Sequence, residues 1–170
     1  MRHSLLCLSF VALSLFPVST FSQTKSPDKN EAGIRALYDQ WAKAFEARDL
    51  NGIMAVYGPS DAIVAYDVVP PLQFKGAESY REDYKQFLDQ YDGPVHVEYR
   101  DMRIMSSGDI GFIHTLERFT GKMKNGQTVD FWLRATSGLQ KINGKWKIVH
   151  DHISVPVDFE TGKALLNLKP

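Results

Sequence analysis

The second half of this chain alternates. From Val95 to Val155 apolar and polar residues trade places in long runs, interrupted at Ser106-Ser107-Gly108-Asp109, Asn125-Gly126 and Asn143-Gly144. Alternation places successive side chains on opposite faces of an extended chain, and short Gly-containing breaks fold one run back on the next. Four consecutive antiparallel strands follow from that pattern alone. The last pair, DFWLRATSGLQKINGKWKIVHDHISV from Asp130 to Val155, carries the most chemistry: two tryptophans, an arginine and His150-Asp151-His152.

Two registers are open to that hairpin. A two-residue turn at Asn143-Gly144 pairs Ile142 with Lys145 and puts Arg134, Thr136 and Asp151 on one face. A bulged turn, with Gly144 in the bulge, pairs Lys141 with Lys145 instead. Trp132, Arg134, Thr136, Trp146, Ile148, His150 and His152 then share one face, and Phe131, Leu133, Ala135, Leu139, Val149, Asp151, Ile153 and Val155 the other. The bulged register separates apolar from polar better, and patterning sets register, so it is the expected one. The more apolar face should cover the helices. The face with Arg134, His150 and His152 then turns outward onto a partner subunit, unless a bulge elsewhere exchanges the two faces.

The first half reads as helices. Ser26 can cap a helix with Pro27 at its first position, and Ile34, Leu37, Tyr38, Trp41 and Phe45 recur on one stripe. Asp49 caps a short second helix that ends at Gly58-Pro59-Ser60-Asp61. Ala62 to Tyr66 reads as a strand, and Val68 to Leu72, with Pro70-Pro71, as a loop. Tyr80, Tyr84, Phe87, Leu88 and Tyr91 mark a third helix that stops at Gly93-Pro94. Three helices against one face of a strongly curved, mostly antiparallel sheet make an α+β fold, a cone with a pocket inside.

Arg2 and His3 before an apolar run from Leu5 to Phe16, then small residues at Thr20 and Ser22, predict a signal peptide over residues 1–22. The run is too short to span a bilayer, which needs roughly 20 apolar residues. The expected product is exported, periplasmic or secreted, with a leader over 23–29, one domain over 30–156 and a tail over 157–170. Cys7, the only cysteine, leaves with the signal peptide, so neither disulfide nor thiolate chemistry is expected. Basic and acidic residues balance at 20 each, which makes nucleic acid and anionic membranes poor partners.

The helix and strand order resembles the NTF2-like superfamily and, within it, the SnoaL-like group. LYDQWAKAFEARDLNGIMAVY is similar to the opening helices of ketosteroid isomerase. NGKWKIVHDHIS is similar to the end of the calcium/calmodulin-dependent kinase II association domain, and AYDVVPPLQFKG to exported SnoaL-like proteins. The first resemblance implies a tyrosine donor at the position of Trp41, a base at Tyr66 with Asp67 one residue on, and a second aspartate near Thr136. Each position departs from the isomerase pattern. The second resemblance implies pocket arginines at His114, Ser137 and Ile153 and a pocket histidine at Tyr80, none of which is kept.

Two functions are therefore expected. The first is a ligand-binding module, dimeric with itself, whose apolar pocket takes a small organic molecule through Trp41, Tyr66, Tyr80, His114, Trp132, Arg134, His150 and His152. The alternative is a cofactor-independent isomerase, lyase or cyclase using Asp67 or a pocket histidine as base. Arg134 could fork onto an anion. His150 and His152 could join His114 at a zinc ion, but sequence spacing fixes no further ligand. No metal and no cofactor is expected.

Overall fold

The computed structural model describes residues 29–170. The expected signal peptide, its cleavage site, the Ser26-Pro27 cap and all of the leader except Lys29 lie outside the described residues. Helix α1 (Lys29–Glu46) buries Ile34, Leu37, Tyr38, Trp41 and Phe45, the stripe read from the sequence. Asp49 caps α2 (Leu50–Met54) by accepting from the Asn51 N–H. A single 3-10 turn, Ser60–Ala62, leads into β1 (Val64–Tyr66), and β2 (Phe74–Lys75) precedes α3 (Ala77–Leu88). Then come β3 (Tyr91–Ser107), β4 (Ile110–Met123), β5 (Thr128–Ile142) and β6 (Lys145–Ser154).

The six strands form one sheet in the order β2-β1-β6-β5-β4-β3, antiparallel except that β1 runs parallel to β6. Helices pack on its inner face, as the α+β reading requires. Two details differ from the sequence reading. Tyr91 opens β3 rather than closing α3, and Gly93-Pro94 lies inside that strand at an irregularity between Tyr91 and Val95. β2 went unread because two residues are too few to show a period.

The hairpin register is a correction. Asn143 and Gly144 both adopt positive φ, 50° and 77°, so the turn is the two-residue type, and Ile142 faces Lys145. The bulge sits further along. Leu139 pairs with Ile148 but Gly138 with His150, which leaves Val149 as the extra residue. Trp146 and Ile148 accordingly face inward with Leu139, 7 % and 3 % exposed, rather than outward as expected. Beyond the bulge the phase changes. Arg134, Thr136 and His152 then face outward, while Ala135, Asp151 and Ile153 face the helices. A second shift, between Arg100 and Arg103, interrupts β3 where Asp101 has φ 55°. Such bulges let long strands curl over α1. Residues 157–170 double back through a Val157–Ala164 bridge, and Leu166 returns to the sheet's inner side.

Candidate functional site: an acidic, aromatic cavity

The curl of the sheet leaves a cavity of about 510 Å³ between α1, α3, the loop after β1 and the inner face of β4, β5 and β6. Trp41 and Phe45 on α1, Tyr80, Tyr84 and Phe87 on α3, and Phe119 and Phe131 on the sheet form its aromatic walls. Leu133, Ile153 and Leu166 complete them. Four acidic side chains also line it: Asp67, Glu82, Asp83 and Glu117. Among the described residues lining it there is no lysine, arginine or histidine.

Glu117 is the most unusual of these. Alternation along β4 turns Ile113, Thr115, Glu117 and Phe119 inward, so an acid occupies a core position and is 5 % exposed. Its carboxyl has no hydrogen-bond partner among the described residues. Burial, then the charges of Asp151 and Asp67, pushes its pKa up to about 8. The Trp41 indole N–H is also buried without an acceptor among the described residues. Unpaired buried polar groups are rare in folded proteins and call for an explanation.

Deeper in, a chain of hydroxyls surrounds Asp151, the middle residue of His150-Asp151-His152. Tyr57 donates to its Oδ2 at 2.6 Å, and the Ser137 hydroxyl donates to its Oδ1. Tyr38 donates to Ser137 at 2.6 Å, and the hydroxyls of Tyr57 and Tyr84 lie 2.5 Å apart. Burial raises Asp151 to about 6, even though both hydroxyls oppose the shift. Burial likewise raises Tyr38, Tyr57 and Tyr84 well above the usual phenol range, so these hydroxyls stay protonated. All five residues are buried, so this network holds α1, α3 and the segment after α2 to the sheet beneath the cavity.

Asp67 reaches the cavity without any bulge. β1 ends at Tyr66, so the strand's alternation no longer governs the next residue. The Asp67 carboxylate accepts from the Val68 N–H at 2.6 Å and from the Tyr80 hydroxyl at 3.3 Å. Its pKa is raised by burial, against the pull of both hydrogen bonds. Asp83 is raised to about 7 by burial and by the charge of Asp67.

The structure divides the sequence-derived candidates. Trp41, Tyr80 and Asp67 meet at the cavity. Tyr66, His114, Trp132, Arg134, His150 and His152 do not; they lie on the outer face of the sheet. The cause is register. β1 pairs Tyr66 with His152 and Val64 with His150, β4 pairs His114 with Thr136, and the Val149 bulge sends Asp151, not its flanking histidines, inward. His150 Nδ1 is 2.8 Å from the Val64 carbonyl oxygen, and Tyr66 packs edge-on against both histidine rings. Trp132 is only 9 % exposed because the Arg100 and Arg118 guanidiniums cover it, 5.2 and 6.0 Å from its ring centre. Of the positions carried over from the kinase domain, Ser137 and Ile153 face inward and His114 does not. Thr136 is outward too, so the second acid of the isomerase pattern is not replaced there. Among the described residues no three His, Cys, Asp or Glu side chains converge to hold a metal ion. No described helix is long and apolar enough to cross a membrane.

Glu117 and Asp151 were not singled out in the sequence, though a signal existed. Each is an acid in the inward phase of a strand whose other inward residues are apolar or small.

No curated protein matches the chain. Among solved structures it is similar to an NTF2-like protein of unknown function from Pseudomonas putida KT2440. The two are 35 % identical over 83 % of this chain and 96 % of that one, with a TM-score of 0.74. A ketosteroid isomerase-like protein from Erwinia carotovora atroseptica shares the fold at 20 % identity, TM-score 0.63, over 75 % of this chain and 96 % of that one. So does a candidate calcium/calmodulin-dependent protein kinase II association domain from Xanthomonas campestris, at 21 % identity and TM-score 0.67 over 83 % and 91 %. The family model of the SnoaL-like domain matches residues 34–158, from the first buried residue of α1 to just past β6, and the chain belongs to that family.

Proposed function

We propose that this SnoaL-like domain binds a small, mostly apolar organic molecule in the cavity between α3 and the inner face of the sheet. The observation that carries the reading is Glu117: a buried carboxyl with no hydrogen-bond partner among the described residues, facing an aromatic space large enough for a ligand. Pockets that bind small molecules combine apolar walls with a few convergent polar groups, and a ligand atom would supply the hydrogen bond Glu117 lacks. The same protein is proposed to be exported and to pair with a second copy through the outer sheet face. That face exposes Tyr66, Met105, Ile110 and Phe112 beside Trp132 and Arg134, a composition suited to an interface.

Native mass spectrometry of the purified protein tests the binding reading. Wild type should retain or take up a small organic molecule. Leu133→Trp, which fills the cavity from β5, should fold but lose it. Equal uptake by both proteins, or none by wild type, would overturn the proposal.

A second reading, proton transfer of the isomerase or lyase kind, is favoured by one observation. Asp67 turns into the cavity beside Tyr80, so a base faces a substrate-sized space. Among the described residues no histidine lines the cavity, so the base would be a carboxylate. Asp67→Asn would then keep ligand affinity and abolish turnover, whereas in a pure binding protein no turnover exists to lose.

A further inference from the structure

We propose that the cavity selects a small apolar amine, held as its ammonium cation by Glu117 among the aromatic rings. The inference rests on the binding reading above and names the ligand's chemical class. Four acids line the space with no basic side chain among them. Three belong to the loop after β1 and to α3: Asp67, Glu82 and Asp83. The fourth, Glu117, stands on the opposite wall, 5 % exposed and without a hydrogen bond among the described residues.

Consider what each kind of ligand would meet. A carboxylate or phosphate would lose water among these acids with no counter-cation among the described lining residues, and the ionised ones would repel it. A neutral molecule could hydrogen-bond Glu117 but would leave it holding its proton, with no charge to offset the acids around it. An ammonium ion supplies the missing opposite charge, and Glu117 then ionises against it. The walls suit the same choice. Trp41, Phe45, Tyr80, Tyr84, Phe87 and Phe119 present aromatic surface, and ring faces attract cations once water is excluded. Asp151 does not compete for the cation, because Tyr57 and Ser137 already donate to its two oxygens.

The proton balance is part of the proposal. Glu117 is protonated near neutral pH, since burial and the charges of Asp151 and Asp67 hold its proton on. The amine arrives already protonated, and Glu117 gives up its own proton to solvent as the ion pair forms.

A matched series decides it: 4-phenylbutylamine, 4-phenylbutan-1-ol and 4-phenylbutanoate, titrated calorimetrically into the full mature chain at pH 7. The amine should bind at least about tenfold tighter than the alcohol, and the carboxylate weakest of the three. Repeating the amine titration in two buffers of different ionisation heat should show release of about one proton per amine bound. Glu117→Gln should lower amine affinity by about tenfold or more and leave the alcohol within about twofold. Alcohol and amine binding equally, or the carboxylate matching the amine, would overturn charge selection while leaving the cavity a binding site. If none of the three binds, and native mass spectrometry also finds no ligand, both readings fall. Should the Glu117→Gln chain not fold, proton release by wild type decides alone, and its absence overturns the proposal.

Discussion

Glu117→Gln has a calculable effect on stability that does not require knowledge of the ligand. The ordinary glutamate value of 4.5 applies to the unfolded chain, while burial holds the folded carboxyl near 8. The folded state thus binds its proton more tightly. The stability tied to that proton is fully present below pH 4.5 and is lost as pH rises towards 8. Each unit of difference is worth about 1.36 kcal/mol, so the loss reaches about 3 kcal/mol at pH 7 and about 5 kcal/mol at pH 9. Glutamine keeps the shape and neutral character of the protonated acid but cannot ionise. The variant should therefore gain on wild type by about 4 kcal/mol between pH 5 and pH 9. Urea unfolding at pH 5, 6, 7, 8 and 9 measures this. The value at pH 5 isolates any packing change, and an unchanged urea slope shows that the two unfold alike. A difference that stays flat with pH, or that turns against the variant at high pH, would refute the reasoning. Glu117 would then be ionised in the folded protein and held by a partner that the geometry does not show.

Three further outcomes are expected. Tyr57→Phe removes the donor to Asp151 Oδ2 and should destabilise the protein by roughly 1.5–3 kcal/mol at neutral pH, the usual worth of a hydrogen bond to a charged group. The cost should shrink below pH 5, where Asp151, near 6 in the fold, is already protonated; a cost independent of pH would contradict this account. Sedimentation should give the mass of a dimer, and Arg134→Ala should shift it towards monomer without altering cavity binding; a wild-type monomer at high micromolar concentration would remove the interface reading. N-terminal sequencing of protein from its native host should begin at or near Gln23, and a product that retained Leu5 to Phe16 would contradict export.

The sequence by itself determined the elements that periodicity governs. The α1 stripe, the Asp49 cap, the strand after Ser60 and the four long strands are all set by local spacing and turn chemistry, and they suffice for an α+β fold. It also determined which residues share a face on either side of the bulge, because alternation holds within each uninterrupted stretch. The tertiary structure decided which face is the inside. One extra residue, Val149, reverses the phase of β6, so Trp146, Ile148 and Asp151 all face inward while His150 and His152 do not. A bulge leaves no periodic signature in one short strand, since either phase reads equally well there. A pocket was expected from the sequence, but its acidic lining was hidden for the same reason. Asp67 reaches it only because β1 stops one residue earlier, and Glu117 becomes unusual only when the aromatic-bearing helices α1 and α3 close over its strand. Whether a carboxyl is solvated or stranded depends on what the rest of the chain places above it, and no window of sequence contains that information.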